Sequence, residues 1–260
     1  MFIGFDVGNT TTMLGIYDDD SVLPEKTCRF RTDKRVNEKA LSDNIIKNIK
    51  SLGDSDEICA QITAAAFSSV VPEVSGLYHR TVKNLFGIDI FEIRYDSKLS
   101  IKINYRDKAM LGIDRIVNTE TAFREHGPGC VVIDIGTAAT YDVLTHDGVF
   151  DGGLIAPGIG TTIRTLAEAA SNLPEIVFEK PENLIATDTV NAIKSGFFYG
   201  WISMIEGIVL RIEKFYEKKF QVILTGGFAE QVMSGLEIKA VLDPLLTMKG
   251  IKYIYNSNMK

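Results

Sequence analysis

Two stretches of the chain share one pattern, and this repeat constrains the fold more than any other feature. Residues 2–12 read FIGFDVGNTTT, and residues 130–140 read CVVIDIGTAAT. Each is an apolar run of strand length that reaches an Asp, an apolar residue, a Gly and then hydroxyl or amide residues. A second apolar segment follows each turn, and Asp19 matches Asp147 further on. Because Asp6 and Asp134 lie about half a chain length apart, the pattern predicts an internal duplication.

A turn of small and hydroxyl residues after a buried strand can bind phosphate. Its backbone N–H groups and hydroxyls converge on the anion, while the Asp carboxylate faces a metal ion. One such turn is weak evidence, because Asp, Gly, Asn and Thr also form ordinary hairpin turns. Two facing turns could hold one polyphosphate from both sides, so the pair favours a nucleotide site.

Composition indicates a folded protein whose partners are small molecules. Of the 260 residues, 45% are hydrophobic and 24% are charged, which is ordinary for a globular protein with a full core. A net charge of −6 argues against broad binding to nucleic acids or anionic membranes. No signal-peptide pattern opens the chain, and no apolar stretch reaches membrane-spanning length.

The cysteines and histidines are scattered. Cys28, Cys59 and Cys130 match no zinc or disulfide spacing, so we expect buried, reduced thiols in a cytoplasmic protein. The three histidines suggest neither a metal cluster nor a catalytic triad.

Hydrophobic periodicity places the main helices and strands. In the first half it predicts a strand over 13–17, a strand near 27–31, a helix over 38–52, a strand over 58–66, a helix from Pro72 to about 86 and a strand over 88–93. In the second half it predicts helices over about 112–125, 161–170, 189–218 and 245–255, and a strand over 221–224.

Glycine-rich stretches mark three places where backbones can approach closely. Residues 152–160 read GGLIAPGIG, which permits contact with a ligand or the other lobe, or forms a bent strand-to-helix connection. The long helix over 189–218 carries three glycines and crowded aromatic residues, which suit either a dimer contact or core packing. The paired glycines of TGGFAE, at 225–230, let a backbone lie against a flat ring, as at the adenosine end of a nucleotide.

The sequence GIDR, at Gly112 to Arg115, opens a predicted helix with two adjacent charged residues. On a helix, Asp114 and Arg115 point about 100° apart, so they do not form an i, i+4 pair. The default interpretation is an Asp in the first turn, favoured by the helix dipole, and an Arg in solvent.

Two Asp-Gly-hydroxyl turns followed by a Gly-Gly turn describe the two-lobed ATP-binding architecture of sugar kinases, acetate kinases, actin and chaperone ATPases. Within that superfamily the sequence resembles the type III pantothenate kinases over nearly its whole length. Seven segments fall in the family's order and spacing: DVGNTTT, SSVVP, the stretch from Tyr105 to Arg115 with GIDRIVN, DIGTAATYD, GGLIAPGI, TGG and DPLLTMKGIKYIY.

The resemblance implies an α/β fold of two duplicated ribonuclease-H-like lobes, each a mixed sheet flanked by helices, at residues 1–118 and 119–260. It also implies a cytoplasmic, homodimeric transferase that uses ATP with Mg²⁺ and a monovalent cation, K⁺ or NH₄⁺. The implied reaction is phosphorylation of the 4′-hydroxyl of pantothenate, the first step of coenzyme A biosynthesis.

The resemblance assigns roles to residues already marked. Asp114 would be the catalytic base that accepts the hydroxyl proton, and Asp134 would coordinate the monovalent cation. The ATP phosphates would meet the first turn, where Asp6 faces Mg²⁺, and the ATP-binding set is Asp6, Val7, Gly8, Asn9, Thr10, Thr11, Thr12, Met13 and Thr137. Pantothenate would be bound by Tyr105, Gly112, Ile113, Asp114 and Arg115, and by Thr189 across a homodimer interface.

Departures from the family pattern are few. Arg106 and Asp107 follow Tyr105 where many relatives carry Asn-Pro, and Asp107 adds a negative charge near an anion site. Small residues replace threonines at Ala138 and Ala139. The alternative functions are a non-catalytic, accessory-factor-like binding protein of the same fold, and a phosphotransferase or phosphohydrolase for acetate, a sugar or polyphosphate. The short chain leaves little room for a larger substrate domain.

Overall fold

A computed structural model describes residues 1–18, 20–170 and 173–259, so Asp19 lies outside the described residues. The chain divides into two compact units. The first comprises Met1–Ser100, Arg106–Thr121 and Leu245–Lys260, and the second comprises Ile101–Tyr105 and Ala122–Pro244. The C-terminal segment therefore belongs to the unit in which the chain begins. The lobe boundary expected between residues 118 and 119 stays a prediction.

The first unit is built on a five-stranded mixed sheet. Its order is β3-β2-β1-β4-β5, with β2 antiparallel to β1 and β3, and with β4 and β5 parallel to β1. The strands are β1 (Phe2–Val7), β2 (Thr11–Tyr17), β3 (Lys26–Arg31), β4 (Ala64–Ser69) and β5 (Ile90–Glu92).

Three helices cover one face of this sheet: α1 (Glu38–Leu52), α2 (Ser55–Gln61) and α3 (Pro72–Phe86). Alternate residues of β1, such as Phe5 and Val7, point into the core beneath them and are fully buried. The Asn37 side chain begins α1 by accepting the N–H of Ala40 at 2.9 Å. Pro72 occupies the first turn of α3, as predicted.

The opposite face carries α4 (Ile113–His126), which starts in the first unit, and α8 (Leu246–Met259). Their apolar residues Val117 and Met248 join Phe2 and Tyr17 in a second buried cluster. A Cβ at Gly250 would lie 2.6 Å from Val117 Cγ1, so glycine lets α8 pack closely on α4.

The second unit repeats the sheet of the first. Its order is β11-β10-β7-β8-β9-β6, so the strands from β9 to β11 reproduce the order of β3 to β5. This repeated topology confirms the predicted duplicated α/β fold. The strands are β6 (Lys102–Ile103), β7 (Cys130–Ile135), β8 (Ala138–Leu144), β9 (Val149–Pro157), β10 (Gln221–Thr225) and β11 (Ala240–Leu242).

Helices α5 (Ile159–Ala169), α6 (Thr189–Tyr216) and α7 (Ala229–Met233) pack on one face of the second sheet. The long predicted helix is thus a single one of 28 residues. Its side chains Phe198, Trp201 and Ile205 are core residues. Among the residues that the structure describes, no helix is both long and apolar enough to cross a membrane.

Some local predictions are wrong. Residues 58–66 are not one strand, because Asp54 accepts the N–H groups of Asp56 and Glu57 and so starts α2, and β4 begins only at Ala64. The periodicity also missed β11 and set no bounds for β6 or β9. Cys130 is buried as expected, but Cys28 and Cys59 are only half-buried; all three are free thiols.

Candidate active site

The turn between β1 and β2 is exposed to solvent. Gly8 N donates to Thr11 O at 3.1 Å, and Asn9, Thr10 and Thr11 are exposed. Asp6, at the end of β1, is half-buried just before this turn. The arrangement suits an anion above the turn and a cation beside the carboxylate.

Side chains of this segment point to opposite faces of the sheet. Val7 and Thr12 pair across the strands and lie on the face covered by α1 and α3. Thr12 is fully buried, and its Oγ1 lies 2.9 Å from Thr32 Oγ1 and 3.4 Å from Tyr78 OH. Neither the Val7 nor the Thr12 side chain therefore faces the solvent above the turn. Met13 pairs with Asp6 and is half-buried.

The negative charge of Asp6 affects two buried tyrosines. Burial raises the pKa of Tyr78 to about 12, the hydrogen bond with Thr12 opposes this shift, and the charge of Asp6 adds to it. Burial and then Asp6 also raise the pKa of Tyr17 well above its usual value. The Tyr17 hydroxyl donates to Met248 O at 2.7 Å. Both phenols therefore stay protonated and structural at neutral pH.

The turn between β7 and β8 repeats the first. Asp134 is half-buried at the same strand position as Asp6, and Thr137 is exposed. Thr137 O accepts hydrogen bonds from Gly158 N at 3.0 Å and from Thr161 Oγ1 at 2.8 Å. A Cβ at Gly158 would lie 2.6 Å from Thr137 O. The GGLIAPGIG stretch thus forms the expected strand-to-helix connection, from β9 to α5, and within this unit it approaches the phosphate-type turn closely.

The two glycines after β10 have different roles. Gly226 has φ +95°, and a Cβ there would lie 2.5 Å from Ile135 N and would also clash with Asp134 Oδ1. A side chain at Gly226 would therefore displace Asp134. Gly227 is exposed, and a Cβ there would meet nothing within 4 Å, which leaves open space of the kind that a flat ring needs.

One residue beside Asp134 received no role from the sequence. Thr140 pairs with Asp134 across the strands, and its Oγ1 donates to Asp142 Oδ2 at 3.2 Å. Asp142 is fully buried. The sequence signal for this pair was Asp142 itself, a carboxylate within the apolar run of DIGTAATYD, since a fully buried Asp is rare without bonding partners. The hydrogen bond to Asp142 fixes the orientation of the Thr140 hydroxyl next to Asp134.

Asp114 and Arg115 lie in the first turn of α4. The default interpretation placed Arg115 in solvent, and this is wrong. Arg115 is 5% exposed, whereas Asp114 is half-buried. Desolvation raises the pKa of Asp114 above its usual value near 3.8, although the N–H and the charge of Arg115 oppose the shift. A carboxylate held as a stronger base is suited to accept a proton.

The neighbouring predicted residues are placed as follows. Gly112 and Ile113 are half-buried at the start of α4. Asp107 accepts the N–H of Ala109 at 3.1 Å and caps a short 3₁₀ helix, so its extra carboxylate is engaged locally. Tyr105 is half-buried in the second unit, where its ring centroid lies 6.2 Å from that of Phe150.

Thr189 is exposed at the start of α6, next to an apolar groove of the second unit. The groove has a volume of about 510 Å³ and is lined by residues of β9, α5 and α6, including Pro157, Gly196 and Gly200. A Cβ at either of these two helical glycines would meet nothing within 4 Å. The glycines therefore leave an open apolar face on α6.

The second unit also brings together Glu125, His126 and Asp243, whose potential ligand atoms lie within 4.8 Å of one another. Sequence spacing did not reveal this group, because Asp243 is distant in the chain and only the sheet places it near the end of α4. The group contains one histidine and two carboxylates, and it lies outside the predicted site.

Matching Asp-containing turns on two duplicated sheets, with a Gly-Gly turn in the second, define a protein of the actin-like ATPase and sugar kinase fold. Solved structures support this class. A protein from Sinorhizobium meliloti assigned as a 2-dehydro-3-deoxygalactonokinase superposes with a TM-score of 0.61 at 14% identity, covering 99% of both chains. One from Campylobacter jejuni assigned to the Baf family of transcriptional activators gives 0.62 at 18% identity, covering 99% of this chain and 98% of its own.

The sequence comparisons identify the family within this class. The family model of type III pantothenate kinase matches residues 2–211. A type III pantothenate kinase from Sulfurihydrogenibium sp. is 34% identical over 98% of this chain and 99% of its own. Another, from Halalkalibacterium halodurans, is 34% identical over the full length of both chains. The chain belongs to the type III pantothenate kinase family.

Proposed function

We propose that this protein transfers the γ-phosphoryl group of ATP to the 4′-hydroxyl of pantothenate, the first step of coenzyme A biosynthesis. The observation that carries the proposal is the similarity to type III pantothenate kinases along the whole chain. The three free thiols agree with a reducing cytoplasm as the location.

The first turn is proposed to bind the ATP phosphates. Its exposed residues Asn9, Thr10 and Thr11 supply hydrogen-bond donors, and the Asp6 carboxylate is the kind of oxygen ligand that Mg²⁺ prefers. Bound Mg²⁺ would neutralise charge on the phosphates. The remaining contribution of the chain is positioning, which dominates phosphoryl transfer. Thr137, in the matching turn, is proposed as a further ATP contact.

Asp114 is proposed as the catalytic base. The hydrogen bond from Arg115 N fixes one carboxylate oxygen, so the other can accept the proton of the pantothenate hydroxyl. The raised pKa strengthens the carboxylate as a base.

Arg115 is proposed to bind the pantothenate carboxylate, together with the phenol of Tyr105 and the backbone of Gly112 and Ile113. The planar guanidinium can donate two parallel hydrogen bonds to a carboxylate. Its burial supports this role, because a charge removed from water gains more from an anionic partner than an exposed one does.

Asp134 is proposed to coordinate a monovalent cation, K⁺ or NH₄⁺. The half-buried carboxylate and the adjacent hydroxyl of Thr140, ordered by Asp142, form an oxygen-rich environment. Gly226 supports this site, because only a residue without a side chain fits against Asp134 there.

A second copy of the chain is proposed to cover the groove along α6 and form a homodimer. The groove is apolar, and helical glycines on its floor permit close approach of another helix. Thr189 lies exposed at the start of the same helix and would reach the partner's pantothenate site. The site of each protomer would then be complete only in the dimer.

The test is ADP release from ATP and Mg²⁺, with and without pantothenate, in potassium buffer and again in sodium buffer. We expect release that requires pantothenate and is faster with potassium. Pantothenate-dependent release that is equal in both buffers would remove the cation role of Asp134. If ATP bound but no ADP appeared in any condition, the chain would be a binding relative without kinase activity.

A further inference from the structure

A lysine outside the predicted ATP-binding segment contacts the phosphate turn. Lys34 Nζ donates a 2.8 Å hydrogen bond to Oδ1 of Asn9, an exposed residue of the β1–β2 turn. The two residues are 25 positions apart, so the contact is a product of the fold. No motif singled out this lysine.

Backbone contacts on both sides hold Lys34 in place. Before it, Thr32 N donates to Thr10 O at 2.9 Å, which extends the β2–β3 pairing to the turn. After it, Arg35 N donates to Asp33 Oδ1 at 2.9 Å, a local turn that reverses the chain around Lys34. The lysine therefore stands on an anchored loop beside the phosphate turn.

The predicted ATP segment lacks a positive charge of its own. Residues 6–13 read DVGNTTTM, with one carboxylate and no basic residue. A bound polyphosphate carries several negative charges, which kinases balance with Mg²⁺ and with a lysine or arginine. A lysine ammonium acts as a compact point charge for phosphate oxygens.

We propose that Lys34 is a cationic residue of the ATP polyphosphate site and contacts the phosphates beyond the α position. The inference rests on the proposed function. The Asn9 contact also sets the orientation of that amide: lysine can only donate, so Asn9 Oδ1 faces Lys34 and the amide nitrogen remains as a donor for the same phosphates. Both side chains are exposed, so the phosphates can reach them.

The competing explanation is that Lys34 is a surface residue that only tethers the turn. Two substitutions separate charge from tethering. Lys34→Gln keeps an amide donor for Asn9 but removes the charge, whereas Lys34→Arg keeps the charge. Lys47→Gln is the matched control, because Lys47 is an exposed lysine on α1 and its substitution removes the same net charge.

The experiment is calorimetric titration of the full chain with Mg²⁺ and a non-hydrolysable ATP analogue, and separately with AMP. We expect Lys34→Gln to weaken binding of the ATP analogue by about tenfold or more, as for loss of one charge-assisted hydrogen bond. AMP binding should change by less than about twofold, since AMP lacks the distal phosphates. Lys34→Arg and Lys47→Gln should remain close to wild type.

Other outcomes overturn the inference. Equal binding of the ATP analogue by Lys34→Gln and Lys47→Gln would show that the charge is not used. Equal weakening for AMP and the ATP analogue would show a structural tether only. Loss of ATP-analogue binding confined to Lys34→Gln, without any pantothenate-dependent ADP release, would overturn the proposed function but keep this inference. A wild-type protein that bound neither nucleotide would overturn both.

Discussion

The backbone N–H of Arg115 donates a 2.8 Å hydrogen bond to Oδ1 of Asp114, in the first turn of α4. The carboxylate is thus fixed by the residue that follows it. Gly112, two residues earlier, makes room for it, because a Cβ there would lie 2.5 Å from the same oxygen. The short sequence GIDR therefore specifies the position of one carboxylate.

We predict that Asp114→Asn lowers kcat by about a hundredfold or more, the usual size of a general-base contribution. The amide has nearly the same shape but cannot accept the hydroxyl proton. Binding of ATP and pantothenate should remain close to wild type in calorimetry. Asp107→Asn serves as the control, because that carboxylate only caps a 3₁₀ helix. Near-normal turnover of Asp114→Asn would remove the residue from the base role.

The same variant should be more stable than wild type at neutral pH. The fold raises the pKa of Asp114 by desolvation, so ionisation of this carboxyl favours the unfolded state. The protonated carboxyl, by contrast, favours the folded state. This stabilisation is fully present below the unfolded pKa near 3.8 and is lost as the pH rises through the folded pKa. Asn stays neutral at every pH. The difference in unfolding free energy should therefore grow from near zero as the pH rises above 3.8.

Urea unfolding of both proteins between acid and neutral pH measures this difference. A difference that did not change with pH would show that the stability of the variant has another cause.

Arg115→Lys is expected to raise the KM for pantothenate by about tenfold, with a smaller change in kcat. A lysine keeps the charge but cannot make two parallel hydrogen bonds to a carboxylate. Steady-state kinetics with pantothenate varied at saturating ATP give both constants. Arg94→Lys, at an exposed position, is the control. An unchanged KM in a folded variant would contradict the assignment of Arg115.

Gly200→Leu should convert the proposed dimer into a monomer at micromolar concentration and abolish pantothenate-dependent turnover. A Cβ at Gly200 meets nothing within 4 Å in the protomer, and leucine favours a helix more than glycine does by about 1 kcal/mol. The leucine would, however, occupy the groove proposed for the partner. Light scattering after size-exclusion chromatography gives the mass of the particle. Calorimetry with ATP shows whether the variant still binds the nucleotide.

Gly76→Leu is the matched control for this substitution. Gly76 is also an exposed helical glycine, where a Cβ would meet only the end of the Arg80 side chain at 3.6 Å, but it lies on α3. A Gly200→Leu protein that stayed dimeric and active would place the interface elsewhere.

Much of the fold could be predicted from local patterns. The helix at Glu38–Leu52 has the predicted bounds, because its apolar face repeats at helical spacing and Asn37 caps it. Errors occurred where local and long-range effects compete. The run at residues 58–66 is apolar enough for a strand, yet the cap at Asp54 makes its first part helical. Short strands such as β6 and β11 exist because a neighbouring strand pairs with them.

The sequence by itself determined the repeated Asp-Gly turns, the duplication and the family, because each depends on residue types at fixed short spacing. Tertiary structure alone decided which side chains face each turn. It turned the Thr12 hydroxyl into the core, buried Arg115, brought Lys34 to Asn9 and assigned the C-terminal helix to the first unit. These contacts join residues that are distant in the chain, and their geometry follows from sheet order and packing, which no local pattern encodes.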